Sequence, residues 1–122
     1  MIEFEQFKSE LNTKEEPLKQ LEQALDLDNK KKRIAELDRM MEEPDFWADA
    51  EKGNKLSTEA SHLKDEVEGF LKLKEDYEDI DALIQMGKEE EDASVIPEIK
   101  EMLARFSEEL ENMNTTLLLS GE

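Results

Sequence analysis

The spacing of apolar residues is the feature that most constrains the fold of this chain. Along most of its length, apolar residues recur in alternating steps of three and four, which places them on one face of an α-helix. Charged residues make up 41% of the 122 residues and hydrophobic residues 37%, a composition typical of long helices or coiled coils. So charged a chain could instead be disordered, but the regular spacing argues against that alternative.

The stripes predict four helices in one domain that covers residues 1–122, with helices at about 2–24, 28–43, 50–87 and 94–118. A short acidic link joins the last two helices, so they should lie antiparallel. The sequence therefore predicts an all-α fold, an elongated helical bundle with a long antiparallel, coiled-coil-like helix pair. The stripe residues are Phe4, Phe7, Leu11, Leu18, Leu21 and Leu25; Ile34, Leu37 and Met41; Leu56, Ala60, Leu63, Val67, Phe70, Leu73, Tyr77, Ile80, Ile84 and Gly87; and Ile96, Ile99, Leu103, Phe106, Leu110, Met113 and Leu117.

Two features interrupt this pattern. Pro17 lies inside the first stripe and lacks a backbone N–H, so we expect a kink or break near residues 13–17, with Thr13 capping a restarted helix. In the third stripe the step from Phe70 to Leu73 is a three that follows a three, which overwinds a coiled coil locally.

The helix starts carry capping residues. Asp26 or Asp28 can cap the second helix by accepting backbone N–H bonds. Ser94 is expected to cap the fourth helix, with Pro97 in its first turn, where a missing N–H costs nothing.

Phe46 and Trp47 are adjacent aromatics in a chain that has few. We expect them to plug one end of the bundle and to anchor the connection between helices two and three. In that case Trp47→Ala should cost ~3–5 kcal/mol. Unchanged stability would instead favour an exposed pair with a role in partner binding.

The net charge of −18 limits the possible partners. Nucleic-acid binding depends on basic residues that displace counterions, so little direct RNA binding is expected, and basic protein surfaces are better partners. The absence of cysteine excludes disulfides and thiolate sites and is compatible with the cytoplasm. No apolar run approaches the ~20 residues of a membrane span, and Met1–Glu5 do not resemble a secretory signal.

No group of residues predicts catalysis, a cofactor or a metal. His62 is the only histidine and is interpreted as a surface residue; Glu59 and His62 match Glu-x-x-His once, whereas a di-iron bundle needs the motif twice. Glu89–Asp92 lack the alternating ligands of an EF-hand. The run Lys30–Arg33 is either a solvated helix face or a local contact with RNA or an acidic protein. We therefore predict a non-enzymatic domain whose partner-binding residues the sequence does not identify.

Three segments carry a family resemblance. The blocks LDLDNKKKRIAEL at residues 25–37 and EPDFW at 43–47, and the ending LLLSGE at 117–122, resemble the N-terminal helical domain of the bacterial peptide chain release factor 2 family. The resemblance covers the whole chain. The last two segments favour factor 2 over its sister, factor 1.

The resemblance implies translation termination at UAA and UGA. Family members read the stop codon with Ser-Pro-Phe and release the peptide with Gly-Gly-Gln, and neither motif occurs here. The chain is then a fragment, a non-catalytic, cytoplasmic domain that docks and positions the factor on the ribosome, near the GTPase-associated centre and ribosomal protein L11, with functional interplay with release factor 3. The alternative is an acidic coiled-coil structural or protein-binding module unrelated to termination. A reading frame that continues into a Gly-Gly-Gln segment would favour the first interpretation.

Overall fold

The computed structural model describes residues 1–120 and the side chains of residues 1–119. Within this range the chain forms four helices and no strand: α1 (Ile2–Leu25), α2 (Leu27–Met41), α3 (Ala50–Glu90) and α4 (Ile96–Ser120), with 3-10 turns at Phe46–Ala48 and Ala93–Val95. The predicted all-α class is confirmed. No helix in this range is long and apolar enough to cross a membrane. Gly121 and Glu122, the end of the LLLSGE segment, lie outside the described residues.

The helices form two compact units. One unit comprises Met1–Ala24 and the described residues from Leu71 onward, and the other comprises Leu25–Phe70. Helix α3 contributes to both, and the boundary within it coincides with the predicted stammer.

In the first unit the second half of α3 lies antiparallel to α4, as predicted. Lys72 Nζ is 3.5 Å from Glu109 Oε2, and the rings of Tyr77 and Phe106 meet edge to face at 5.9 Å. As residue numbers increase along α3, those of the contacting residues on α4 decrease, which is the pattern of an antiparallel pair. Buried apolar side chains from α1, α3 and α4 supply the core of this unit: Phe4, Phe7, Leu11, Leu18, Leu21, Leu73, Ile80, Ile84, Ile99, Leu103, Phe106, Leu110 and Leu117.

A kink or a break was expected near Pro17, and helix α1 runs through the proline without a break, so the second of these alternatives was wrong. Leu11 and Leu18, on either side of the proline, are both buried, and packing of this stripe outweighs the hydrogen bond that proline removes. Thr13 does not cap a new helix. Its hydroxyl donates to the carbonyl of Glu10 (2.6 Å) inside the continuous helix.

Helix α3 continues to Glu90, beyond the predicted end at Gly87. Glu91 adopts a left-handed conformation with φ 52°, and the Asp92 N–H donates to the Gly87 carbonyl (3.0 Å), which forms a Schellman-type helix end. The prediction that Ser94 caps α4 was also wrong. Its N–H (3.0 Å) and hydroxyl (2.5 Å) donate to Asp92 Oδ1.

In the second unit α2 packs on the first part of α3 around Leu37, which is fully buried. Arg33 binds Glu59 of α3 through two hydrogen bonds of 2.7 and 2.9 Å. Asp26 precedes α2 with φ 51° and makes no side-chain bond to the backbone of the helix. Its carboxylate accepts from the Asn29 amide instead. The remaining core residues are Leu25, Ala60, Val67 and Phe70.

Candidate protein-binding surface

His62 lies on the exposed face of α3, as its position beside the stripe predicts. Its Nε2 is 3.2 Å from Glu66 Oε1, one helical turn away. This contact is an ordinary i,i+4 pair on a helix surface. Among residues 1–120, no cluster of three or more His, Asp or Glu side chains is arranged to hold a metal ion.

The basic run on α2 is largely engaged within the second unit. Lys30 Nζ donates to the carbonyl of Leu25 (2.7 Å), near the end of α1, where a cation stabilises the helix terminus. Arg33 pairs with Glu59 and with Glu36 (2.6 Å), and it holds the pKa of the Glu59 carboxyl below its ordinary value. Lys31 and Lys32 remain exposed. This arrangement favours the interpretation of the run as a charged helix face whose partners come partly from α3.

The connection between α2 and α3 carries the most distinctive surface. Phe46, Trp47 and Ala48 form a 3-10 turn, and the two aromatic rings meet edge to face, with centroids 5.0 Å apart and planes at 88°. The indole lies on Gly53 in the first turns of α3. A Cβ at Gly53 would be 2.7 Å from Trp47 Cε3, so the absence of a side chain there allows the ring to approach the helix backbone this closely.

Trp47 is nevertheless 53% exposed, and the expectation that the aromatic pair plugs the bundle was wrong for this residue. Phe46 is half-buried. Because about half of the indole stays in water, Trp47→Ala should cost roughly 1.5–2.5 kcal/mol, about half of the value for a buried aromatic. No local pattern in the sequence distinguished an exposed Trp47 from a buried one, because its exposure depends on how the turn lies on Gly53.

A shallow groove of about 360 Å³ lies beside this turn within the second unit. Its lining combines four apolar residues with three carboxylates and one lysine, so a partner that binds there would meet both apolar and acidic groups. The lining residues are Met40, Glu43, Asp45, Phe46, Ala48, Asp49, Lys52 and Leu56.

A second apolar feature lies near the end of α4. Leu117 is buried, whereas Leu118 and Leu119 are 79% and 85% exposed. Three consecutive leucines cannot share one helical face, so burial of the first leaves the other two in solvent.

Comparison with known proteins identifies relatives of the chain. The family model of the PCRF domain matches residues 30–122. Proteins named peptide chain release factor 2 match over nearly the whole chain. The relative from Staphylococcus haemolyticus is 32% identical over 120 residues, which cover 98% of this chain and 32% of the relative. The relative from Petrotoga mobilis is 30% identical over 122 residues (100% of this chain and 32% of the relative), and that from Clostridium perfringens is 32% identical over 122 residues (100% of this chain and 33% of the relative).

The chain spans about a third of the length of these relatives. No solved structure matches it. The family model covers α3 and α4 whole and α2 from Lys30 onward, and it includes the EPDFW block and the groove beside it. The chain therefore belongs to the PCRF domain family.

Proposed function

We propose that this chain acts in translation termination as a docking and positioning domain, itself non-catalytic, of a class I release factor that acts at UAA and UGA. The observation that carries the proposal is the match of the PCRF domain to residues 30–122, together with relatives named peptide chain release factor 2. In this proposal residues 1–122 are the N-terminal helical domain, and other domains of the factor supply the Ser-Pro-Phe and Gly-Gly-Gln motifs.

Charge supports a protein partner over RNA. With a net charge of −18, most of the surface repels phosphate and attracts basic proteins. The proposed partner is the ribosome, at protein surface of the GTPase-associated centre that includes ribosomal protein L11, and the proposed compartment is the bacterial cytoplasm. We extend the proposal to functional interplay with release factor 3.

The helices suit such a role mechanically. Helix α3 has 41 residues, about 60 Å at 1.5 Å per residue, and can hold contact points far from a hinge. Contact by the domain alone should be weak, because tethering to the other domains supplies most of the ribosome affinity.

The test compares the full-length release factor that carries this domain with a version that lacks residues 1–115. Peptide release is measured on stop-codon ribosomes across a range of factor concentrations, with and without L11. Docking predicts that the deletion raises the concentration for half-maximal release, leaves much of the maximal rate, weakens the response to release factor 3, and makes the loss of L11 matter less.

Equal half-maximal concentration, rate and L11 dependence in both versions would refute docking and leave the domain with a mainly structural role. A maximal release rate close to that of the intact factor, measured at saturating concentration of the truncated version, distinguishes loss of docking from general damage to the factor.

A further inference from the structure

The Trp47 turn, residues 42–49, presents a half-exposed indole that is already oriented. Gly53 lies under one part of the ring, and Phe46 contacts it at right angles. An aromatic side chain fixed in this way loses little conformational freedom when a partner covers it. The 53% exposure of Trp47 leaves ring surface for such a partner.

The surroundings of the indole are strongly acidic. Residues 42–51 contain five carboxylates and no Lys or Arg: Glu42, Glu43, Asp45, Asp49 and Glu51. All five side chains are exposed, and none forms an ion pair with the described part of the chain. Asp49 accepts the Lys52 N–H (3.1 Å) at the start of α3, and Lys52 is the one cation that lines the groove.

We propose that the Trp47 turn binds an arginine-bearing segment of a basic protein, an inference that specifies the site and partner chemistry of the docking function proposed above and rests on it. Tryptophan is the best aromatic partner for a cation, and a guanidinium both stacks on an indole and donates paired hydrogen bonds to carboxylates. Glu43 and Asp45 flank the ring in sequence and line the groove.

The charge of the turn favours a basic protein segment over two other possible partners, RNA and a second copy of this chain. Five exposed carboxylates within five positions of Trp47 repel an RNA backbone. A second copy of this chain carries the same net charge of −18, and contact through the same turn would bring two acidic surfaces together. A basic protein segment is the one of these partners whose charge matches the turn.

The experiment uses the 122-residue chain, in which Trp47 is the only tryptophan. An arginine-glycine-serine repeat peptide is titrated at physiological salt, and binding is followed by Trp47 fluorescence and by calorimetry. A lysine-glycine-serine peptide of equal charge and an oligouridylate are titrated in parallel. Circular dichroism checks that each variant remains helical.

Two sets of variants isolate the site. Trp47→Ala removes the ring and Trp47→Phe keeps an aromatic; Leu71→Ala, an exposed apolar residue of the first unit, is the control. Glu43→Gln with Asp45→Asn removes two charges at the turn, and Glu89→Gln with Glu90→Gln removes the same number near the end of α3.

We expect saturable binding of the arginine peptide with a change in Trp47 fluorescence, and about fivefold weaker binding of the lysine peptide. Trp47→Ala and the double substitution at the turn should each weaken binding about fivefold or more, Trp47→Phe less, and the control variants less than about twofold.

Equal losses from the two double substitutions would mean diffuse attraction and would overturn the site, as would equal affinity for the two peptides. Unchanged binding by a folded Trp47→Ala variant would also overturn it, as would saturable RNA binding that quenches Trp47. Failure of the docking function has a separate signature, because the deletion of residues 1–115 would then leave peptide release unchanged even though the isolated chain binds the arginine peptide.

Discussion

Gly87→Ala tests whether the contact between α1 and α3 in the first unit is as close as the structure shows. A Cβ at Gly87 would lie 2.6 Å from Phe4 Cε1 and 2.9 Å from Phe4 Cζ, and 2.9 Å from Val95 Cγ2. Phe4 is only 1% exposed, so its ring cannot swing into solvent. The methyl group must displace packed atoms.

Two opposing effects set the expected magnitude. Alanine in place of glycine inside a helix stabilises by about 1 kcal/mol, whereas overpacking a filled core costs about 1–3 kcal/mol. We expect the cost of overpacking to exceed the gain from replacing glycine in a helix, so that the free energy of unfolding falls by about 1 kcal/mol. Urea unfolding followed by circular dichroism measures the difference.

The same substitution in a Phe4→Leu background is the matched control. Leucine lacks the ring atoms that meet the new methyl group, whereas Val95 Cγ2 remains 2.9 Å from it, so in that background Gly87→Ala should be close to neutral. A coupling of about 1 kcal/mol between the two positions is expected. A stability gain in the natural background, or the same change in both backgrounds, would refute this account of the contact.

Three further outcomes are expected. Glu91→Gly should stabilise the chain by about 0.5–1 kcal/mol, since glycine adopts the left-handed conformation at the end of α3 without strain; equal or lower stability in urea unfolding would contradict this. Arg33 lowers the pKa of Glu59 from its ordinary value of 4.5, so the stabilisation from this pair is complete above pH 4.5 and is lost as the pH falls through the lower, folded-state pKa; carboxyl NMR titration should find a midpoint that rises in Arg33→Gln. The purified chain should release no peptide from stop-codon ribosomes. Stop-codon-dependent release by the chain would contradict the proposal that other domains of the factor carry out peptide release.

The stripes predicted most of the core because burial follows helical periodicity. Leu11, Leu37, Ile80 and Ile99 are all completely buried. The pattern was less informative at stripe edges, where Leu63 and others are only half-buried. A stripe shows which side of a helix faces the core. How completely each side chain in it is buried depends on the size of the side chains packed around it.

Local rules failed where tertiary packing or backbone geometry decided the outcome. Pro17 carries a strong helix-breaking preference, yet buried residues on both sides keep α1 continuous. Glu91, the residue after α3, adopts a left-handed conformation that usually selects glycine, so no sequence signal marked the end of the helix. Ser94 was a reasonable cap by residue type, but Asp92 is the residue that accepts its hydrogen bonds.

The candidate surface could be predicted only in part. Phe46 and Trp47 stood out in the sequence, but exposure of the indole depends on how the turn lies on Gly53, a contact between residues six positions apart. Acidic residues are too evenly distributed for charge alone to mark one site. The sequence shows that residues 42–51 contain no Lys or Arg, but only the structure shows that contacts with Gly53 and Phe46 hold the Trp47 ring in place.

The continuity of α3 across the two units has a consequence for native-state hydrogen exchange. Amides before Phe70 report the opening of one unit and amides after Leu71 that of the other, along one unbroken ladder of backbone hydrogen bonds. Bonds from each residue to the one four positions earlier cross the boundary, so unwinding on one side removes partners on the other. Protection factors along this single helix would therefore measure how strongly the opening of one unit promotes that of its neighbour.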